Sequence, residues 1–223
     1  MTNILMSRSG ALNSSWAINE TSKIIKKGMK VAVVGFSFFH SLSKEEYQAV
    51  YNANSEYNLK IDEMFLSFCV TDVNWIYYYD MSKEEMVKLI KEADILYFPG
   101  GAPDLMYERI VEKDILEELK SFNKIVIGSS AGAMIQLGHF HISPDNEYFK
   151  FSEHQGLGYL NDFFIEVHYA RRKKQKSSMR KMRKNYLKPI YTICENGMII
   201  VKSDIIITLN EAKMYYNRKG IVK

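Results

Sequence analysis

The sequence predicts an α/β protein: a mainly parallel sheet with helices on both faces, and antiparallel strands towards its C-terminal end. Over the first two-thirds of the 223 residues, short β-branched runs alternate with capped, helix-patterned segments, as parallel strands joined by crossover helices require. Several of these runs are apolar at consecutive positions, the mark of strands buried on both faces. The last third loses this alternation and ends in apolar runs suited to antiparallel pairing.

The elements follow in order. Asn3–Met6 is a short apolar start, and Ser14 and Ser15 cap a helix from about Trp16 to Lys27 that stops at Gly28. Lys30–Gly35 reads as a buried strand. Ser43, with Glu46 three residues on, forms a capping box for a helix running to about Ser55. Asn74–Tyr79 reads as a strand, and Ser82 with Glu85 caps a helix to Glu92. Asp94–Phe98 is a buried strand ending in Pro99-Gly100-Gly101; a helix follows to about Lys120, and Lys124–Gly128 is the next strand. Phe163–Val167 is a strand, and Arg171–Lys188 has helical periodicity with Met179, Met182 and Tyr186 on one face. Met198–Lys223 reads as antiparallel strands with a turn at Asn217-Arg218-Lys219-Gly220. No repeat, low-complexity tract or Pro/Ser-rich linker divides the chain, so residues 1–223 are expected to form one domain.

Composition narrows the class. With 47% hydrophobic and 25% charged residues, 12 Gly and 4 Pro, the chain is neither disordered, collagen-like nor a coiled coil. Cys69 and Cys194 are too few for a disulfide framework or a four-ligand zinc site, so reduced thiols and a cytoplasmic location are expected. The longest apolar stretch, Val31–Phe39, is interrupted by Gly35 and Ser37 and is about half the ~20 residues of a membrane span. Met1–Gly10 carries Arg8 and three hydroxyl residues where a secretory leader would be apolar.

The formal charge of +4 suggests nucleic acid until its distribution is examined. Ten basic residues and no acid lie between Arg171 and Lys188, and the remainder holds 20 basic against 26 acidic residues. The body of the protein is acidic, and one segment is cationic.

Gly128-Ser129-Ser130-Ala131-Gly132 fits Gly-x-Ser-x-Gly between a buried strand and a helix. A nucleophile on so tight a turn needs small neighbours, so that the chain bends and the hydroxyl projects from the sheet edge. Ser130 is therefore the candidate nucleophile. Gly100 and Gly101 end the preceding strand, and ligands of parallel sheets bind outside the carboxyl ends of the strands. The Gly101 and Ala131 N–H groups are accordingly the candidate oxyanion donors.

Five histidines compete as the base. His168, just after a strand, is preferred; His40 and His154 read as surface residues, and His139 and His141 share one strand face without a third metal ligand. Neither metal nor cofactor is expected. The imidazole needs an acidic partner, and Glu195 is preferred over Asp162 and Glu166 because it follows the apolar run Ile190–Cys194, at an apparent strand end.

With these residues in place the chain resembles the serine peptidases of the dipeptidase E and cyanophycinase type. Their fold is flavodoxin-like and similar to that of the class I glutamine amidotransferases. The resemblance runs from about Asn3 to the C-terminus, through Phe98-Pro99-Gly100-Gly101, the Ser130 turn, Gly156-Leu157-Gly158, Val167-His168-Tyr169 and Glu195. It implies Ser130 as nucleophile, His168 as base, Glu195 as orienting acid, and Gly101 and Ala131 as oxyanion donors. Ala102-Pro103 stand where the family has Asn or Asp followed by Thr or Gln. Of the arginines the family places after its histidine, Arg172 matches the first, Lys174 replaces the second and Ser177 breaks the third. The first departure falls where the family's polar residues help hold substrate, and together the two bear on cleavage after an N-terminal aspartate rather than on hydrolysis.

The resulting expectation is a peptidase of dipeptides or short peptides working through an acyl-enzyme, with Arg172 holding a substrate carboxylate. The expected partner is a small peptide, with neither nucleic acid nor membrane, and a homodimer is compatible with the reading. An α/β-hydrolase esterase would instead draw its acid from Asp145, Glu147, Glu153 or Asp162. A glutaminase of the similar fold would carry cysteine at position 130. A non-catalytic module binding nucleic acid or another anion through residues 171–188 has only Tyr169 and Tyr186 nearby for stacking.

Overall fold

The computed structural model describes every residue except Ser41, Asp204, Arg218 and Lys223. In chain order the elements are β1 (Thr2–Met6), a 3-10 turn at Ser9–Ala11, α1 (Ile18–Ile24), β2 (Lys30–Val34), α2 (Lys44–Val50) and α3 (Glu56–Leu66). There follow β3 (Asp72–Ile76), α4 (Lys83–Glu92), β4 (Ile95–Phe98), α5 (Pro103–Glu112), α6 (Leu116–Ser121), β5 (Ile125–Ser129) and α7 (Ala131–Met134). The last third holds β6 (His139–Ile142), β7 (Ser152–Gln155), β8 (Phe164–Glu166), α8 (Lys173–Tyr186), β9 (Ile190–Lys202) and β10 (Ile205–Tyr216).

The main sheet has the order β10-β9-β1-β5-β4-β2-β3, with β8 beside β9. Strands β1 to β5 are mutually parallel, whereas β9 and β10 run antiparallel. The predicted class is the observed one. Both faces of the central strands are buried, as their unbroken apolar runs require: Val31, Val33, Ile95 and Tyr97 pack under α1 and α3, while Ala32, Val34, Leu96 and Phe98 pack under α4, α5 and α6. Among the described residues no helix is long and apolar enough to cross a membrane.

Some boundaries differ from the periodicity. The helix expected to reach Ser55 ends at Val50, and Ser55 instead caps α3 by accepting from the Asn58 N–H at 3.1 Å. The helix expected to reach Lys120 is two helices, broken where Asp114 takes a left-handed conformation with φ 53°. Antiparallel pairing starts at Ile190, ahead of the expected Met198. Arg218 of the expected closing turn lies outside the described residues; its neighbour Asn217 accepts the Lys219 and Gly220 N–H groups on its side chain.

The path of β9 positions the site. Its first part, Ile190–Thr192, lies against β8 in parallel, and its last part, Met198–Lys202, lies against β1 antiparallel. Strands β1 and β8 therefore point at each other along one edge of β9. Their carboxyl ends meet opposite residues 193–197.

Candidate active site

Ser130 sits at the carboxyl end of β5 with φ 51° and ψ −113°, a region an L-residue occupies only under constraint. The constraint is local packing. The Ser130 N–H donates to the Met6 carbonyl at 2.8 Å. A Cβ on Gly128 would lie 1.9 Å from the Gly132 carbonyl oxygen, so the turn closes only around glycine. The helix after it, α7, is a single turn, and it is pinned from behind. Gln136, fully buried, donates to the Gly132 and Ile4 carbonyls and accepts from the Asn3 side chain. Beneath the turn the Tyr97 hydroxyl is 3.1 Å from Ser129 Oγ, and burial pushes that phenol up to about 12.

His168 follows β8, and its φ of 49° turns it out of the strand direction. Ser7, just past β1, accepts the His168 N–H at 2.9 Å and donates to the Ile193 carbonyl at 2.8 Å, tying the two converging strand ends to β9. Gln175 donates to the His168 carbonyl at 2.9 Å and accepts the Ala170 N–H at 3.0 Å. Neither Ser7 nor Gln175 was singled out by the sequence, because their partners are backbone groups brought close only by the sheet.

Glu195 lies inside β9 and not at a strand end. The register with β10 passes from Ile193 opposite Ala212 to Gly197 opposite Asn210, so three residues of β9 face one of β10. This bulge re-aims a side chain within an otherwise regular pair. The Glu195 carboxylate reaches His168 Nδ1 at 2.7 Å, and His168 Nε2 is 2.9 Å from Ser130 Oγ. A carboxylate only accepts, so Nδ1 carries the ring proton and Nε2 is left to accept from the serine hydroxyl. Arg8 donates to the Glu195 carbonyl at 3.1 Å and to the Asn196 side chain, which steadies the bulge.

The other acids considered do not reach this histidine. Glu166 is engaged elsewhere: its Oε2 is 2.8 Å from His141 Nε2 and accepts Ser143 Oγ–H at 2.9 Å. Asp162 is exposed. Of the esterase candidates, Asp145 accepts the Glu147 and Tyr148 N–H groups of its own loop, and Glu153 is bound by Tyr186 and lies 3.2 Å from His139. His40 is exposed as expected, but His154 is half-buried and stacked on Phe140 at 5.6 Å. Burial holds the His139 imidazole below its usual range, with Glu153 acting in the opposite direction. Among the described residues no group of three or more His, Cys, Asp or Glu is placed to hold a metal ion.

Among the described residues neither the Gly101 nor the Ala131 N–H has an acceptor in the protein. The Gly101 loop is held open by its neighbours. Gly101 has φ 139°, a Cβ there would lie 1.9 Å from the Ser37 carbonyl oxygen, and that same oxygen accepts the Ala102 N–H at 2.7 Å. Ser37 also donates to the Gly100 carbonyl at 2.7 Å. The Ser37 segment is fixed in turn by buried Arg109, which donates to the Phe36 and Phe38 carbonyls at 2.7 and 2.5 Å and lies 3.3 Å from the Phe38 ring centre. Arg109→Ala should cost about 3 kcal/mol by leaving these carbonyls unpaired, a loss readable as a lower midpoint of chemical denaturation.

Ser130, Gly101 and His168 stand between two hollows of about 530 and 240 Å³. Arg172, exposed just ahead of α8, is the one basic residue of the stretch 171–188 that lines the larger hollow. The helix itself buries Gln175, Ser178, Met179 and Met182, whereas Tyr186 is more than a third exposed.

A serine on a strained strand-to-helix turn, with a histidine and a carboxylate in hydrogen-bond reach at the carboxyl ends of a parallel sheet, is the arrangement of a serine hydrolase. The model of peptidase family S51 matches residues 47–209, and the chain belongs to that family. A Listeria monocytogenes EGD-e protein named for peptidase E is similar in fold, with TM-score 0.64 at 19% identity over 93% of this chain and 96% of that one. A peptidase from an acI-B1 Actinobacterium gives TM-score 0.61 at 14% identity over 96% of this chain and 89% of the other. No curated protein sequence matches the chain.

Proposed function

We propose that this peptidase hydrolyses dipeptides or short peptides through Ser130, His168 and Glu195. The observation that carries the reading is the continuous relay from Ser130 Oγ to His168 Nε2 at 2.9 Å and from Nδ1 to Glu195 at 2.7 Å. Ser130 Oγ attacks the peptide carbonyl carbon while its proton passes to Nε2. The negative charge formed on the carbonyl oxygen is met by the Gly101 and Ala131 N–H groups, two donors with no competing acceptor. The C–N bond then breaks as Nε2 returns the proton to the leaving amine. Water, deprotonated by His168, releases the acyl group by the same route. Every step uses water, the side chains named and two backbone donors. The reading keeps a single domain in a cytoplasmic setting, with Arg172 at the rim to meet a substrate carboxylate.

A fluorophosphonate probe should label the native protein on the peptide bearing Ser130; a protein left unmodified under conditions that label other serine hydrolases would remove the mechanism. Glu195→Gln should lower kcat on a dipeptide by roughly 10³-fold or more, since an amide no longer enforces the productive tautomer. Asp162→Asn should leave it within about twofold. Comparable losses in both variants would reassign the acid.

A further inference from the structure

The larger hollow beside Ser130 is lined by a buried carboxylate that the relay does not use. Glu166 is only 5% exposed and His141 only 2%, yet both line this cavity of about 530 Å³. One carboxylate oxygen, Oε2, is occupied by His141 and Ser143. Among the described residues the other, Oε1, has no hydrogen-bond partner and is not fully enclosed, and Glu166 lines the cavity. Glu166 thus offers the hollow a carboxylate oxygen with no donor from the described residues, an arrangement that a cationic donor completes.

The walls select the shape of that donor. Met134, Ile142, Ile165 and Val167 line the same hollow as Glu166, Ser130 and His168. Apolar walls beside a carboxylate suit a long methylene stem with a charged head. The α-ammonium of a peptide stays within one bond of its backbone, held at the rim by the scissile carbonyl. Arg172, at the exposed edge, places the opposite charge outside.

Resting on the peptidase reading above, we infer that the 530 Å³ hollow is a specificity subsite for a basic side chain, Lys or Arg, flanking the scissile bond, with Glu166 as its anionic determinant held in place by His141 and Ser143. An acidic side chain there would meet Glu166 directly, which disfavours cleavage beside aspartate.

The test separates binding from turnover. In the Ser130→Ala protein, calorimetric affinities are measured for Lys-Ala and Ala-Lys and for the same dipeptides with norleucine in place of lysine. Norleucine keeps the stem and removes the charge. One of the two lysine peptides should bind about tenfold or more tightly than its norleucine analogue, and the better sequence tells which side of the scissile bond the hollow serves. Adding Glu166→Gln, with thermal denaturation confirming that it folds, should erase this difference, whereas Asp162→Asn, at an exposed acid outside the hollow, should retain it. Equal affinity of lysine and norleucine peptides, or a lysine preference that survives Glu166→Gln, overturns the subsite. The first comparison needs no change at Glu166, so it stands even if that variant fails to fold. Absence of peptide turnover by the unmodified enzyme, with the lysine preference intact, counts against the hydrolase reading alone.

Discussion

Ser130→Ala is expected to reduce kcat on any cleaved dipeptide by roughly 10⁴-fold or more, leaving the small residue that oxyanion donors and substrate binding sustain without a nucleophile. The variant should also lose all fluorophosphonate labelling while folding normally. Stability provides a second reading of the same residue. Ser130 is held at φ 51° and ψ −113°, which glycine adopts without strain. Ser130→Gly should therefore be inactive but more stable than the native protein by about 1 kcal/mol, measured by chemical denaturation. A kcat for Ser130→Ala within tenfold of the native value would show that the nucleophile lies elsewhere. A Ser130→Gly protein less stable than the native one would show that the turn is not a site of stored strain.

The second large effect is structural. Gly132 lies where α7 crosses β4: a Cβ there would stand 1.8 Å from the Phe98 carbonyl oxygen and 2.4 Å from its carbon, both backbone atoms. Neither side can yield cheaply. Phe98 belongs to the central sheet, and α7 is held by Gln136 to β1. Gly132→Ala should cost about 3 kcal/mol or more, and because the only relief is to lift α7, the Ser130 turn moves with it. Activity at a temperature where the variant is still folded should therefore fall at least tenfold. Gly10→Ala, with nothing within 4 Å of the added carbon, is the matched control and should alter neither quantity. A fully stable Gly132→Ala protein would mean that the close contact of α7 and β4 is not essential.

Ser130, the glycines around it and Gly101 were legible because the requirement they meet is local. A nucleophile on a sharp turn dictates small residues within two positions on either side, so five letters carry the signal. His168 was legible for a related reason, as a titratable residue just past a buried strand. Glu195 lies 2.7 Å from His168 for a reason that its apolar run does not show: it stands in a bulge of β9, where the strand changes neighbours from β8 to β1, and one apolar run looks the same whether it ends or bulges. Glu166 and His141 are 25 residues apart and meet only because β6 packs against β8. No spacing rule could have paired them. Arg109 reads in sequence as one more charge on an exposed helix, and only the fold reveals the three carbonyls that it holds in the Phe36–His40 segment.

The sequence by itself determined the parallel core and the turn that exposes Ser130, because β-branched runs buried on both faces and glycine-flanked bends are consequences of steric rules acting over a few residues. The tertiary structure alone decided which carboxylate lies beside His168, which one lines the neighbouring hollow, and that Arg172 is the one basic residue of the cationic stretch to line it. These are contacts between strands distant in the chain, set by where β1 and β8 converge on β9, and periodicity carries no information about such distances.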